Sequence, residues 1–291
     1  MSNPEISLSS IVLTMTPASR VSVSATIGHQ AHAAFLATVR EVDPELSAAL
    51  HDPEAALRPF TVSPLSGVGR AQDGRVVLSP GEEYALRVTC LRPQVHARLV
   101  ERFLRPDLRP ALRLGKAELL VREVRTTPGS HPWAGYTSWG ALVAGAADEE
   151  EIGLEFTSPT AFSFGQQPWG KKIVPLPLPT LVFGSLARAW NAFAPPELQL
   201  DRQALAAYLE EHVVIKRLAD LRTQMLDFGK APQLGFVGAV TYGLMAADGA
   251  IRCQLNALAA FAFYAGVGMK TTMGMGQCRR LVLPSRLEVK P

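Results

Sequence analysis

One order of elements occurs twice along this chain, and that repetition limits the fold more than any other feature of the sequence. Ile6 to Thr16 alternates loosely and is rich in Ile, Val, Leu and Thr, which predicts a strand, and Gln30 to Val42 carries helical spacing through Ala34, Leu36 and Val39. Short strands are predicted at Phe60–Ser63, Val76–Ser79 and Tyr84–Cys90, set apart by turn signals at Pro64, Gly74 and Pro80–Gly81. A helix over Val95–Leu104, stopped by Pro106, and a strand over Leu112–Val124 complete the first set. The second half returns to the same order: a strand at Ile152–Thr157, a helix at Thr180–Phe193 ended by Pro195–Pro196, strands at Val213–Leu221 and Phe236–Leu244, a helix at Ile251–Tyr264 and a strand at Gln277–Val289. Two βαββαβ units in tandem describe an α+β chain of two ferredoxin-like, RRM-like domains. Acid-rich Ala147–Glu151 is the natural seam, dividing the chain into 1–148 and 149–291. A sheet of this kind leaves one face open, the face RRM modules use for RNA, but that is analogy at the level of fold.

The chain can fill two such cores, since 47% of its 291 residues are apolar and 19% charged, which excludes disorder. Its longest apolar run, Leu255 to Met269, is interrupted by Asn256 and falls short of the ~20 residues that span a bilayer. Met1 to Ser10 has Glu5 and no basic residue ahead of an apolar stretch, so a cytoplasmic location is expected. Cys90, Cys253 and Cys278 are odd in number and far apart, which suits buried thiols better than a disulfide framework or a zinc knuckle. The formal charge of +3 is unevenly spread: Arg92 to Arg125 holds nine basic residues against four acids, and the last 27 residues hold five against one. A solvated helix face accounts for the scattered arginines better than a binding surface does, so charge alone only permits an anionic partner.

The most unusual local feature is Gly266-Val267-Gly268-Met269-Lys270-Thr271-Thr272-Met273-Gly274-Met275-Gly276, between the last helix and the last strand. It is no Walker A loop, because no glycine precedes Lys270 and no strand leads in, and it lacks the GxGxxG order. Gly266, Gly268, Gly274 and Gly276 could turn backbone N–H groups toward a phosphate while Lys270, Thr271 and Thr272 add charge and donors; a plain helix-to-strand connection is the other reading.

Together with Gly235-Phe236-Val237-Gly238 and the apolar helix before it, the segment AGVGMKTTMGMGQ resembles the C-terminal signature of the CRISPR-associated endoribonucleases that cut precursor CRISPR RNA within its repeats, the sixth Cas family of the RAMP superfamily. Three further segments are similar to that family and keep its order: LHDPEAALRPFTVSPL from Leu50, LEFTSPTAF from Leu154 and PLPTLVFGSLARAWNAF from Pro177. The resemblance implies two tandem ferredoxin-like domains, in agreement with the repeat. It also implies a metal-independent reaction without cofactor, in which a ribose 2′-OH attacks the adjacent phosphate and leaves a 2′,3′-cyclic phosphate and a 5′-OH. The implied partners are CRISPR repeat RNA and a CRISPR effector complex, with the chain a monomer or homodimer. A noncatalytic repeat-binding subunit of the same superfamily is the alternative.

That chemistry needs a base, an acid and positive charge near the phosphate oxygens, and imidazole, with its ordinary pKa of ~6.5, suits the proton transfers. Among six histidines, His51 stands where several family members carry a catalytic His followed by a basic residue, here Arg58, the candidate for stabilising the transition-state charge. His29 and His32 open the first helix, three apart and so on one face, in a segment where other members carry an active-site His. No third ligand spacing accompanies them, so no metal is expected. Members with a tyrosine in this helix place it near Phe35 or Leu36, neither of which transfers a proton, and His32 is therefore nominated as the acid. His96, His131 and His212 are read as solvated or structural. Lys171 and Lys172 form a basic tip that either holds the repeat or closes an ordinary hairpin.

Overall fold

The computed structural model describes residues 6–52, 54–228 and 232–283. The first half runs β1 (Leu8–Pro17), β2 (Val21–Ser24), α1 (Gly28–Arg40), α2 (Pro44–His51), β3 (Phe60–Val62), β4 (Arg75–Leu78), β5 (Tyr84–Cys90), α3 (Pro93–Leu104), β6 (Ala111–Leu114), β7 (Ala117–Arg125), β8 (Gly135–Thr137) and α4 (Trp139–Ala144). The second contains β9 (Glu151–Thr160), β10 (Phe162–Gln167), β11 (Gly170–Val174), α5 (Pro179–Phe193), α6 (Arg202–His212), β12 (Val213–Leu226), β13 (Gln233–Leu244), α7 (Gly249–Ala265) and β14 (Cys278–Leu281).

The antiparallel sheets are ordered β3-β5-β1-β7-β6 and β12-β13-β9-β14. Taking β1, β3, β5 and β7 as the four strands of one unit and β9, β12, β13 and β14 as those of the other, both orders are 2-3-1-4. The chain is two ferredoxin-like domains. One core gathers around Phe35, Phe60, Leu86 and Leu119, the other around Phe156, Phe183, Trp190 and Phe261. Trp190 belongs to this second core, with its indole N–H on the Leu198 carbonyl at 2.7 Å. The second core also takes in Trp139 and Leu142 from α4 and Leu8 from β1, so the two units share apolar packing at their junction.

Several elements differ from the sequence expectation for local reasons. The strand expected over Leu112–Val124 is a hairpin, broken where Gly115 takes φ 62° between β6 and β7. Helix α2 was not anticipated: Asp43 caps it by accepting the Leu46 N–H at 2.9 Å, Pro44 occupies its first turn, and His51 is its last residue. Helix α6 is capped in the same way by Asp201. The final strand ends at Leu281, and the remainder of the stretch expected to Val289 lies largely outside the described residues. Among the described residues no helix is long and apolar enough to cross a membrane.

Candidate active site

The glycine-rich segment of the second domain lies on the start of α1 in the first. Contact is close enough that a Cβ at Gly28 would stand 2.1 Å from the Met273 carbonyl oxygen, so only glycine permits the approach. The segment folds on itself rather than spanning a gap. Val267 N–H donates to the Gly276 carbonyl at 2.9 Å, Gly268 N–H to Ser185 Oγ at 2.9 Å, and Met269 N–H to the Ala161 carbonyl at 2.9 Å. Gly276 has φ 72°, and a Cβ there would stand 2.1 Å from the Val267 oxygen, so this glycine closes the loop. Gly268 likewise sits against the Ala161 oxygen, Gly274 against Pro64 and Gly266 against Thr271. The four glycines thus shape and seat the loop, and several N–H groups read from sequence as phosphate donors are spent inside the protein. At the half-buried tip of the loop, Lys270 adopts a left-handed conformation, φ 55°, ahead of the 3₁₀ turn Thr271–Met273.

This seating carries the second domain to the first-helix histidines. His32 Nδ1 lies 3.3 Å from the Thr272 carbonyl oxygen, and its ring packs on Phe60 with centroids 5.5 Å apart. A carbonyl accepts only, so Nδ1 bears the hydrogen and Nε2 of the neutral ring keeps its lone pair. Burial lowers the pKa of His32 most; the Thr272 hydrogen bond raises it, and the charges of Arg58, His51 and His29 lower it again. The net shift is downward, so His32 is neutral near pH 7. His51, exposed at the end of α2, and Arg58, whose Nη1 is held on the Ala55 carbonyl at 2.6 Å, therefore act electrostatically on the same ring. His29 meets Phe228 edge-on at 5.4 Å, and Lys270 Nζ lies 4.2 Å from the same phenyl centroid. Lys270 is partly desolvated, which lowers its pKa, and the nearby Lys171 charge lowers it further. The tip lysines sit on the β10–β11 hairpin, with Lys172 Nζ 4.9 Å from the Phe164 ring.

His29, His32 and His51 line one open groove of about 880 Å³, together with Arg40, Arg113 and Ser47 and with no carboxylate among its lining residues. No group of three or more His, Cys, Asp or Glu side chains able to hold a metal occurs among the described residues. Arg40, Arg113 and Phe228 were not singled out in the sequence. Arg113 lies within the basic segment but gains its place only from the β6–β7 turn, and Phe228 lacks any local signal. Five of the nine basic residues of that segment are paired among the described residues: Arg98 with Asp43 at 3.0 Å, Arg102 with Glu41, Arg105 with Asp107, Arg109 with Glu118 at 2.9 Å and Arg125 with Glu123. Near the C-terminus Arg279 and Arg280 pair with Glu155 and Glu149, each at 2.6 Å, while Arg286 and Lys290 lie outside the described residues. The other histidines serve elsewhere: His96 bonds Ser9 Oγ at 2.9 Å, His131 accepts the Trp133 N–H at 3.0 Å, and His212 packs on Tyr208.

Two family models together cover nearly all of this architecture: the CRISPR Cas6 N-terminal domain over residues 8–144, and the CRISPR-associated endoribonuclease Cas6 over residues 154–278. The chain belongs to the Cas6 family. Among solved structures, Cas6 TTHB231 of Thermus thermophilus in its product complex is 29% identical over 94% of this chain and 100% of that one, with a TM-score of 0.78. The Cas6 TTHA0078 product complex is 30% identical over 94% and 99%, with a TM-score of 0.72, and a substrate mimic complex of the same Cas6 gives 0.68. A Cas6-related protein from Pyrococcus furiosus, at 13% identity and a TM-score of 0.60, shares the fold. No curated protein matches. Membership in this family makes the chain an endoribonuclease of CRISPR RNA processing.

Lys270 offers a first test of the groove as an RNA interface. Each phosphate neutralised adds about 0.7 to 0.9 to the slope of log affinity against log salt. Lys270→Ala should weaken binding of repeat RNA and flatten that slope by about this amount, read from filter binding at several salt concentrations. An unchanged slope would remove Lys270 from the phosphate contacts.

Proposed function

We propose that this chain cuts precursor CRISPR RNA within its repeats by metal-independent transesterification, leaving a 2′,3′-cyclic phosphate and a 5′-OH. The observation that carries this reading is His32 itself: neutral near pH 7, its Nδ1–H fixed by the Thr272 carbonyl, and its Nε2 lone pair available in a groove lined by cations. Such a ring is a general base for the ribose 2′-OH. This inverts the role nominated from sequence, and the acid that protonates the departing 5′-oxygen is then His51. Arg58 and Lys270 supply positive charge to the phosphorane-like transition state, while His29, tied to Phe228, shapes the wall of the groove. Lys171, Lys172 and the Thr271 and Thr272 hydroxyls extend the contact along the RNA. Residues 1–148 carry the proton-transfer groups in this reading and 149–291 carry the loop that orients them. The chain acts in the cytoplasm, where the transcripts are made, and its product is suited to loading into an effector complex.

Metal independence rests on the makeup of the groove, since two-metal nucleases hold their ions with carboxylates. Incubating the protein with end-labelled RNA of its host's CRISPR repeat in excess EDTA should give one cut and an upstream fragment ending in cyclic phosphate. Cleavage that stops in chelator and returns with magnesium would overturn the mechanism, and tight binding without any cleavage would favour a noncatalytic repeat-binding subunit.

A further inference from the structure

Arg87, on β5, is a buried arginine with 5% of its surface exposed, and no carboxylate among the described residues pairs with it. A cation so placed ordinarily costs several kcal/mol unless something compensates it. Here the compensation comes from the other domain. One Nη donates to the carbonyl of Phe263 in the last turn of α7, and the other to Gln277 Oε1 at 2.7 Å, just ahead of β14. Nε donates to Ser10 Oγ at 2.7 Å, and the guanidinium carbon lies 4.4 Å from the Phe263 ring and 4.7 Å from that of Trp133. The final carbonyls of a helix have no partner within it and mark the negative end of its dipole, which suits a buried cation. The neighbouring residue on the same face of the junction repeats the arrangement: Thr89 Oγ1 donates to the Tyr264 carbonyl at 2.6 Å.

The two attachment points of Arg87 in the second domain, Phe263 and Gln277, bracket the glycine-rich segment 266–276. A single side chain of the first domain thus grips both ends of the loop whose Thr272 carbonyl orients His32. We infer that Arg87 is a positioning residue for RNA cleavage, holding the loop in register with α1 so that the Thr272 carbonyl fixes the His32 ring. The inference rests on the proposed role of His32. Lysine could not substitute, because one ammonium on a flexible stem cannot meet the Phe263 carbonyl, the Gln277 amide and the Ser10 hydroxyl at their separate directions. Gln277 is itself oriented by this contact, since its Nε2 is buried with no hydrogen-bond partner among the described residues.

The test is a double-mutant cycle read as single-turnover cleavage of repeat RNA at saturating protein. Displacing a catalytic group by about 1 Å can cost about 100-fold, so Arg87→Met and Arg87→Lys should each slow cleavage by up to about that factor. In the His32→Ala background the same substitutions should cost almost nothing further, because the group they position is gone. Equal losses in both backgrounds would show a general loss of active protein and overturn the inference, as would a wild-type rate in Arg87→Met. If Arg87→Met does not fold, Gln277 decides the matter: Gln277→Glu keeps an acceptor for the guanidinium and should cut at close to the wild-type rate, whereas Gln277→Leu should be slow. Equal rates for these two variants would overturn it. An undiminished rate in His32→Ala alone would instead strike the proposed chemistry, which separates the two failures.

Discussion

A single deoxyribose immediately 5′ of the scissile phosphate should abolish cleavage by the wild-type protein while leaving RNA binding almost intact. The effect is expected to be complete because, in the proposed mechanism, the missing 2′-OH is the nucleophile itself. In that mechanism His32 takes its proton from the ribose 2′-OH, which is already tethered beside the phosphate, and without it no nucleophile is aligned for attack; the groove lining also holds no carboxylate that could carry a metal-bound water. One hydroxyl among many RNA contacts contributes little to affinity, where phosphate neutralisation dominates. The measurement is a pair of titrations with the ribose and deoxyribose substrates, one of binding and one of single-turnover cutting. Cleavage of the deoxy substrate at the same bond would mean hydrolysis by an activated water and would end the transesterification reading.

What could be read from the sequence divides along a physical line. Periodicity within a helix or strand is local, so β1, α1, β5, α3, α5, β13 and α7 were all visible, and their order repeated clearly enough to give two ferredoxin-like units. Elements whose signal is a cap rather than a stripe were missed. Helix α2 has only eight residues, of which Ser47 and Leu50 are buried, and its identity depends on Asp43 and Pro44 at its start. The miss mattered, because α2 is what carries His51 to the groove. The basic segment shows the opposite failure: a run of arginines is legible as charge, but its partners Glu41 and Asp43 lie on another element and cancel it only in the folded chain.

The glycine-rich segment was legible as unusual, yet its composition could not distinguish glycines that approach a ligand from glycines that approach protein. Steric contact distinguishes them, and here the neighbours are the Val267, Ala161 and Gly276 carbonyls and Pro64. His29 and His32 on α1, His51 at the end of α2 and Lys270 on the glycine-rich loop meet around the loop–α1 junction, whereas the Thr272 carbonyl that sets the tautomer of His32 is a backbone atom and leaves no trace in residue identity. Arg87 is invisible for the same reason, since its partners are mainly the Phe263 carbonyl and the end of a helix dipole rather than a carboxylate in sequence.

The remaining large effect concerns His32 and His51 together. Loss of a general base or acid costs ~100- to 10,000-fold in rate, about 3 to 5 kcal/mol, and each alanine variant should show a loss in that range at saturating RNA with little change in Kd. Rates alone do not separate base from acid; their pH dependence does. Burial lowers the pKa of His32 most, and Arg58, His51 and His29 add to that effect against the opposing Thr272 hydrogen bond. A base works once deprotonated, so kcat/KM of the wild type should rise with pH through a midpoint below the ordinary imidazole value of ~6.5. His32→Ala should lose this rising limb, whereas His51→Ala should keep it at a reduced rate. Were His51→Ala to lose the rising limb instead, the roles would be exchanged and the nomination of His32 as acid would stand. If both variants kept the rising limb and near wild-type rates while His29→Ala did not, His29 would be the proton-transfer group and the contact between His32 and Thr272 would serve only to dock the two domains.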